Sequence, residues 1–366
     1  MEQVDEKFFW VWLSGIPGIG ARKFHALTKY FGGAHKVWQA PKEKLTQLSP
    51  YLGSNVVYEI INQRDNKTLD GISRMLNSSS FRIITLLDDE YPDLLKQIYD
   101  PPPVLYGKGC PIINHKPAIS IVGSRRPTGY GRQMAEKLAY ELAEAGVTIV
   151  SGLARGVDAM AHYGALKAKG TTVGVLGCGI DRVYPPENKK LFSSMEEKGT
   201  IITEYPPGSA PVAGNFPARN RIISGMTSGV LVIEAGERSG ALITVDFALE
   251  QGRDVYALPG NINVAQSAGT NKILKEGAKL VTEVQDILEE LGIQKKKLKK
   301  DTASVQLDFF ETQVYNALQE GERHLEELSK ETKMDINKLN AVLTMLEVKG
   351  IVKQMPGKIF IRNWDA

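Results

Sequence analysis

Six short stretches of this chain are apolar at consecutive rather than alternate positions, and that limits what it can fold into. They are Ala118-Ile119-Ser120-Ile121-Val122, Val147-Thr148-Ile149-Val150, Thr172-Val173-Gly174-Val175-Leu176, Thr200-Ile201-Ile202-Thr203, Val230-Leu231-Val232-Ile233 and Asp254-Val255-Tyr256-Ala257. A strand with one wet face alternates apolar and polar residues. A strand buried on both faces, as in a parallel sheet covered by helices, reads as a continuous apolar run. Each run is followed by a polar or glycine-rich loop and then a helical pattern, so residues 81–292 are predicted to form a doubly wound, mostly parallel α/β domain. Ligands of such sheets lie beyond the carboxyl ends of the strands, and the loops there are the place to look for function.

Two different segments flank this one. Residues 1–80 read as helical. Their sharpest feature is Ser14-Gly15-Ile16-Pro17-Gly18-Ile19-Gly20-Ala21-Arg22-Lys23, a glycine turn between an apolar helix and a second helix that opens on two cations. It resembles a helix-hairpin-helix, whose exposed amides at a helix N-terminus suit a phosphate, and it equally suits a hairpin kept for packing. A softer boundary falls at Asn77-Ser78-Ser79-Ser80. At the other end, residues 293–301 carry Lys295-Lys296-Lys297-Leu298-Lys299-Lys300 and read as a solvated linker. Residues 302–366 read as helices over Phe309–Leu318 and His324–Lys330 and a third capped by Asp335, with apolar positions Ile336, Leu339, Val342, Leu343 and Leu346. Two strands follow, Ile351–Gln354 and Ile359–Ile361, about the turn Met355-Pro356-Gly357-Lys358.

Charge gives little guidance. The whole chain carries +3, and residues 81–292 hold 22 bases against 24 acids. An anionic partner must therefore be held by local clustering. No apolar run approaches the ~18–20 residues that span a bilayer, and the start lacks a signal-peptide core, so no membrane insertion and a cytoplasmic location are expected. The two cysteines, Cys110 and Cys178, exclude a disulfide framework, and five scattered histidines show no metal-ligand spacing. There is no G-x-S-x-G elbow, no Cys/His pair at an interpretable spacing and no acidic cluster built for Mg²⁺. Cys178 reads as a packed thiol and His162 as a packing or capping residue. The expectation is a binding protein, with no catalytic residues, metal or cofactor.

The strand-end loops carry the binding chemistry. The first is Gly123-Ser124-Arg125-Arg126-Pro127-Thr128-Gly129, which lacks the second glycine of the dinucleotide fingerprint and the G-K-[ST] of a phosphate-binding P-loop. It still offers a glycine for close approach, hydroxyl and helix-end donors and two guanidinium groups. Next, Ser151 and Arg155 lie around a helix start. Asn188, Lys189 and Lys190 open another helix with Phe192 close by, a pairing of cation and aromatic that suits a phosphate beside a stacked base. Arg219, Asn220 and Arg221 follow Phe216-Pro217 at a further helix start. Cations oppose a helix N-terminus by about 0.3–1 kcal/mol each, so they call for an anion, whether a ligand, Glu204 or Glu234. Ser239-Gly240 and Ser267, Gly269 and Thr270 complete the series. Together these loops predict an elongated anionic ligand.

In order along the chain, Gly123-Ser124-Arg125, Ser151-Gly152-Leu153-Ala154-Arg155-Gly156-Val157-Asp158, Tyr184-Pro185-Pro186-Glu187-Asn188 and Phe216-Pro217-Ala218-Arg219-Asn220-Arg221-Ile222-Ile223 resemble the bacterial DNA-processing protein A family (DprA, also called Smf). Glu234-Ala235 with Arg238-Ser239-Gly240-Ala241-Leu242, and Gly252 through Gly260, strengthen the resemblance. It implies an extended Rossmann-like domain that binds single-stranded DNA without catalysis, forms a homodimer, protects incoming DNA and loads RecA recombinase during natural transformation, with single-strand-binding protein as a further partner. It also implies an N-terminal sterile-alpha-motif-like or helix-hairpin-helix region and a C-terminal winged helix. Carried over by position, the DNA pocket would involve Arg125, Lys189 or Lys190 with Phe192, and Asn220 with its flanking arginines. The third helix of 302–366 carries few bases and the segment nets −2, which points that module toward protein contacts or regulation. The competing reading is a nucleotide-binding enzyme or sensor of Rossmann-like type, akin to a phosphoribohydrolase, whose P-G-G-x-G-T loop is only echoed by Pro259-Gly260-Asn261 and Ser267-Ala268-Gly269-Thr270.

Overall fold

A computed structural model of the chain describes residues 6–77, 80–293, 307–319, 321–355 and 357–362. The whole lysine tract, Ser78-Ser79 of the softer boundary and Pro356 of the C-terminal turn lie outside the described residues. The chain divides into two compact units, Met1–Lys295 and Lys296–Ala366.

The first unit begins with seven helices among the described residues: α1 (Glu6–Gly15), α2 (Ala21–Phe31), α3 (Ala34–Gln39), α4 (Lys42–Thr46), α5 (Ser49–Leu52), α6 (Ser54–Asn62) and α7 (Asn66–Leu76). Phe8, Trp12, Leu13, Phe24, Leu45 and Ile60 fill their core. In the α1–α2 turn Gly18 has φ +85°, and a β-carbon there would meet Val56. The two cations that open α2 are engaged internally: Arg22 donates to the Tyr99 hydroxyl at 2.9 Å and Lys23 to the Leu52 carbonyl at 2.9 Å. The turn is thus built into the packing of the helical region.

A nine-stranded sheet follows. Its strands are β1 (Arg82–Thr85), β2 (Val104–Gly109), β3 (Ala118–Val122), β4 (Thr148–Ser151), β5 (Thr172–Val175), β6 (Thr200–Thr203), β7 (Gly229–Val232), β8 (Asp254–Ala257) and β9 (Lys279–Leu280), in the order β1-β2-β6-β5-β4-β3-β7-β8-β9. Strands β3 to β9 run parallel to their neighbours, while β1 and β2 add an antiparallel edge through β6. The continuous apolar runs have the predicted cause. In β7, Val230 and Val232 enter one core layer, whereas Leu231, with Ile233 just past the strand, enters the layer on the other face. The short helix α8 (Asp93–Lys96) precedes β2. The others of this unit are α9 (Gly129–Glu144), α10 (Val157–Lys167), α11 (Lys189–Lys198), α12 (Asn215–Gly225), α13 (Gly240–Glu250), α14 (Ala268–Lys275) and α15 (Gln285–Glu290).

The order of strands is what positions the site. After β3 the chain moves to one side to lay down β4, β5 and β6, then returns to place β7 on the other side of β3. The loops beyond β3 and β7 therefore diverge, and they leave a crevice at the switch point.

The second unit is a winged helix. Helices α16 (Phe309–Ala317), α17 (Leu325–Thr332) and α18 (Ile336–Val348) pack beside the sheet β10 (Arg323–His324), β12 (Ile359–Arg362) and β11 (Val352–Met355), in that order. Leu339, Leu343 and Leu346 of α18 are buried with Leu325, Leu328 and Phe360. Asp335 caps α18, accepting from the Asn337 and Lys338 amides. On the described outer face of α18 stand Ile336, Asn337, Lys338, Asn340, Ala341, Thr344, Met345 and Val348, a surface with a single base.

Candidate functional site

At the switch point lies an open cleft of about 560 Å³. Its walls come from Gly123–Arg126 after β3, from Gly236 and Arg238–Ala241 after β7, and from Phe216, Pro217 and Asn220 of α12. Arg125, Arg126 and Arg238 are exposed, and among the described residues none of their guanidinium groups has a hydrogen bond or ion pair. Arg125 stands over the half-buried ring of Phe216, 5.9 Å from its centroid, a cation–π contact that orients the fork without using its donors. Ser239 caps α13, its hydroxyl accepting from the Ala241 amide at 3.3 Å, so this 11-residue helix presents its N-terminus to the same cleft. The rim therefore combines three free guanidinium groups, a helix end, a hydroxyl and an aromatic face. Those groups recognise a phosphate with a base or sugar beside it.

The floor is built differently. Arg219 is 3% exposed and donates through one terminal nitrogen to the carbonyls of Gly152 and Val175, at the ends of β4 and β5. Asp158, also buried, accepts from the Gly152 amide at 3.1 Å. Burial pushes the Asp158 carboxyl up and the Arg219 guanidinium down to about 10, and their mutual attraction offsets this only in part. Arg221, outside the cleft lining, is buried as well. It forms a bidentate pair with Glu204 at 2.5 and 2.8 Å and reaches Asp100 at 3.1 Å. Burial alone would lower its pKa; the bonds to Glu204 and the charges of Glu204 and Asp100 outweigh that and raise it. Of the anions weighed for these two arginines, Glu204 is the one that meets Arg221.

The remaining sequence-predicted residues divide in the same way. Gly123, Ser124, Arg125, Arg126, Asn220, Ser239 and Gly240 line the cleft. Asn220 leans on the loop after β7, donating to the Gly240 carbonyl at 3.4 Å. Arg155 and Glu187 form an exposed pair at 2.5 Å. Lys189 and Lys190 are exposed at the start of α11 but are not part of the cleft lining. The others are framework. Ser151 donates to the Ile121 carbonyl at 2.6 Å, and Asn188 donates to the carbonyls of Leu153 and Ala154. Phe192 is 4% exposed within the core. Ser267 is buried against Gly260, the Gly269 amide bonds the Ala235 carbonyl, and the Thr270 hydroxyl bonds Ser267. Two of the helix starts after these strands are taken up internally. Glu234 occupies the start of α9, and Ala235 takes the Gly269 amide of α14.

Cys178 and His162 are both buried and both packed into the framework. Burial holds the Cys178 thiol above its usual range. His162 bonds the Thr172 hydroxyl at 2.7 Å behind the floor, and burial, aided by the Arg219 charge, depresses it to about 3. No group of three or more His, Cys, Asp or Glu suited to a metal occurs among the described residues, and none of their helices is long and apolar enough to cross a membrane. Arg238 and Phe216 are cleft residues that the sequence reading did not assign as site residues. Both flank assigned ones, but only the strand order sets the loops after β3 and β7 on the two sides of one crevice.

A family model described as DNA recombination-mediator protein A matches residues 82–292, and one described as DprA winged helix domain matches residues 299–358. The chain is 34% identical to protein Smf of Synechocystis sp., covering 98% of this chain and 99% of that protein. It is 44% identical over 209 residues to DNA processing protein DprA of Bacillus subtilis, covering 57% of this chain and 70% of that one. Among solved structures, DNA processing protein A of Streptococcus pneumoniae aligns with a TM-score of 0.69 at 36% identity over 78% of this chain and 97% of that one. The protein of the same name from Helicobacter pylori, whose structure bears on its single-stranded DNA binding mode, aligns with a TM-score of 0.52 at 32% identity, covering 58% and 96%.

Proposed function

The chain belongs to the DNA recombination-mediator protein A (DprA/Smf) family, and from that premise we propose that it binds single-stranded DNA in the switch-point cleft and acts without catalysis. In this reading it protects incoming strands and loads RecA recombinase onto them, works as a homodimer, and meets single-strand-binding protein on the same DNA. The observation that carries the proposal is the rim: Arg125, Arg126 and Arg238 are exposed and, among the described residues, have no hydrogen bond or ion pair on their guanidinium groups, beside the α13 N-terminus and the Phe216 ring. Such a rim holds backbone phosphates and leaves a base free to stack, which a flexible strand permits and a paired duplex resists. Lys189, Lys190 and the Arg155–Glu187 pair, outside the cleft, would extend the track along the strand. Arg219, Arg221, Asn188, Ser151 and Phe192 support the loops from below.

The test is fluorescence anisotropy with single- and double-stranded oligonucleotides at two salt concentrations. Tight single-strand binding that weakens with salt supports the reading. Equal affinity for duplex, or no dependence on salt, rejects it.

A further inference from the structure

In a parallel sheet, the turn after a central strand and the helix that follows form a ready seat for a free phosphate, because the first-turn amides and the helix dipole point at it. Here that helix is α9, 16 residues long and preceded by Gly123-Ser124-Arg125-Arg126-Pro127-Thr128. The seat is taken by the protein's own carboxylate. Glu234, 2% exposed, accepts from the Thr128 amide at 2.8 Å on one oxygen and from the Thr128 hydroxyl at 2.5 Å on the other. Gly131, in the first turn of α9, lies so close that a β-carbon there would run into the carboxylate. Among the described residues no basic side chain pairs with Glu234. The groups that meet its charge are the amide and hydroxyl of Thr128, the N-cap of α9, and that hydroxyl in turn accepts from the Gly131 amide at 3.1 Å; an amide and a hydroxyl at a helix start are donors of the kind that would meet a phosphate.

We propose that Glu234 is a built-in phosphate substitute, a selectivity residue that closes the α9 seat to free phosphate and mononucleotides and leaves anion binding to the arginine rim. A second anion brought to this seat would meet the carboxylate both as a steric block and as a like charge. The same carboxylate walls a neighbouring cleft of about 520 Å³, lined also by Thr128, Tyr130, Pro259, Gly260, Asn261 and Ser267, so truncating it opens the seat to solvent. The inference stands apart from the DNA reading, since free phosphate is its probe.

The experiment compares the full chain with Glu234→Ala and Glu234→Gln by thermal unfolding, in ~10 mM inorganic phosphate against chloride of equal ionic strength. The wild-type response, which includes any phosphate held by the arginine rim, is subtracted. Glu234→Ala is expected to gain an extra rise of about 2 °C or more, and Glu234→Gln, whose amide still fills the seat, none. If the alanine variant is unfolded in chloride, phosphate is expected to restore its native circular dichroism. A folded alanine variant with no extra response, or one that folds in neither buffer, overturns the proposal. So does an equal gain in the glutamine variant.

Discussion

The floor and the rim of one cleft hold the same residue type in opposite conditions. Arg219 on the floor is buried and donates through one terminal nitrogen to two strand-end carbonyls, and Arg221, two residues on in α12 and outside the cleft lining, is buried against Glu204 and Asp100. Arg125, Arg126 and Arg238 on the rim are exposed and have no such partners among the described residues. A guanidinium taken out of water must be matched internally or the loss of solvation is left standing. One left in water keeps its five donors for a ligand. The difference teaches that an arginine at a strand end says nothing about binding until its burial is known.

The largest expected effect tests the floor. Arg219→Ala should destabilise the fold by about 3–5 kcal/mol in urea denaturation, because it frees two carbonyls and leaves the Asp158 carboxyl without its counter-charge. Arg125→Ala should stay within about 0.5 kcal/mol of wild type. Similar losses at both positions would erase the distinction between floor and rim.

A second test of the floor uses pH. His162, behind Arg219, is depressed to about 3 by burial. An unfolded histidine titrates near 6.5, so between those values the unfolded chain binds a proton that the folded chain refuses. Stability is therefore complete above about pH 6.5 and is lost as pH falls toward 3, by about 2 kcal/mol at pH 5 from this residue. His162→Gln should show a shallower decline over that window in urea melts at several pH values, and parallel declines would remove His162 from the account.

On the rim the readout is binding. Arg125→Ala should weaken single-stranded oligonucleotide binding about tenfold at moderate salt while its unfolding curve stays in place. Unchanged affinity would show that the exposed arginines are solvated rather than functional.

The contrast also marks how far the sequence could be read. The core of the sheet was legible because consecutive apolar residues have one physical cause, burial on both faces, and β3 to β8 lie where the runs place them, to within a residue. The antiparallel edge was not: Arg82–Thr85 is short and half-covered, Val104–Gly109 ends in Gly-Lys-Gly, and β9 has two residues. For the site, the loop after β3 was legible as a cation cluster. That Arg219 turns inward was not, because a helix start looks the same in sequence whichever face it presents; Phe192, which the sequence left equally open to the core and to a stacked base, joins the core. The winged helix shows the reverse case. Its outline was legible from capping and periodicity, and its outer α18 face carries Lys338 as its one base, so a fold often used to read DNA here lacks the usual charge for it.

The smallest effect is expected from the two lysines outside the cleft. Lys189 and Lys190 are exposed and lie outside the cleft lining, so each would add at most a phosphate contact to a strand already held by the rim. The double change to alanine should weaken oligonucleotide binding by no more than about threefold at moderate salt and lower the slope of log K against log salt by about one to two. A loss as large as that of Arg125→Ala would move the centre of the site from the switch point toward α11. It would mean that the strand is gripped mainly beyond β5, and that the free arginines beside β3 and β7 are secondary.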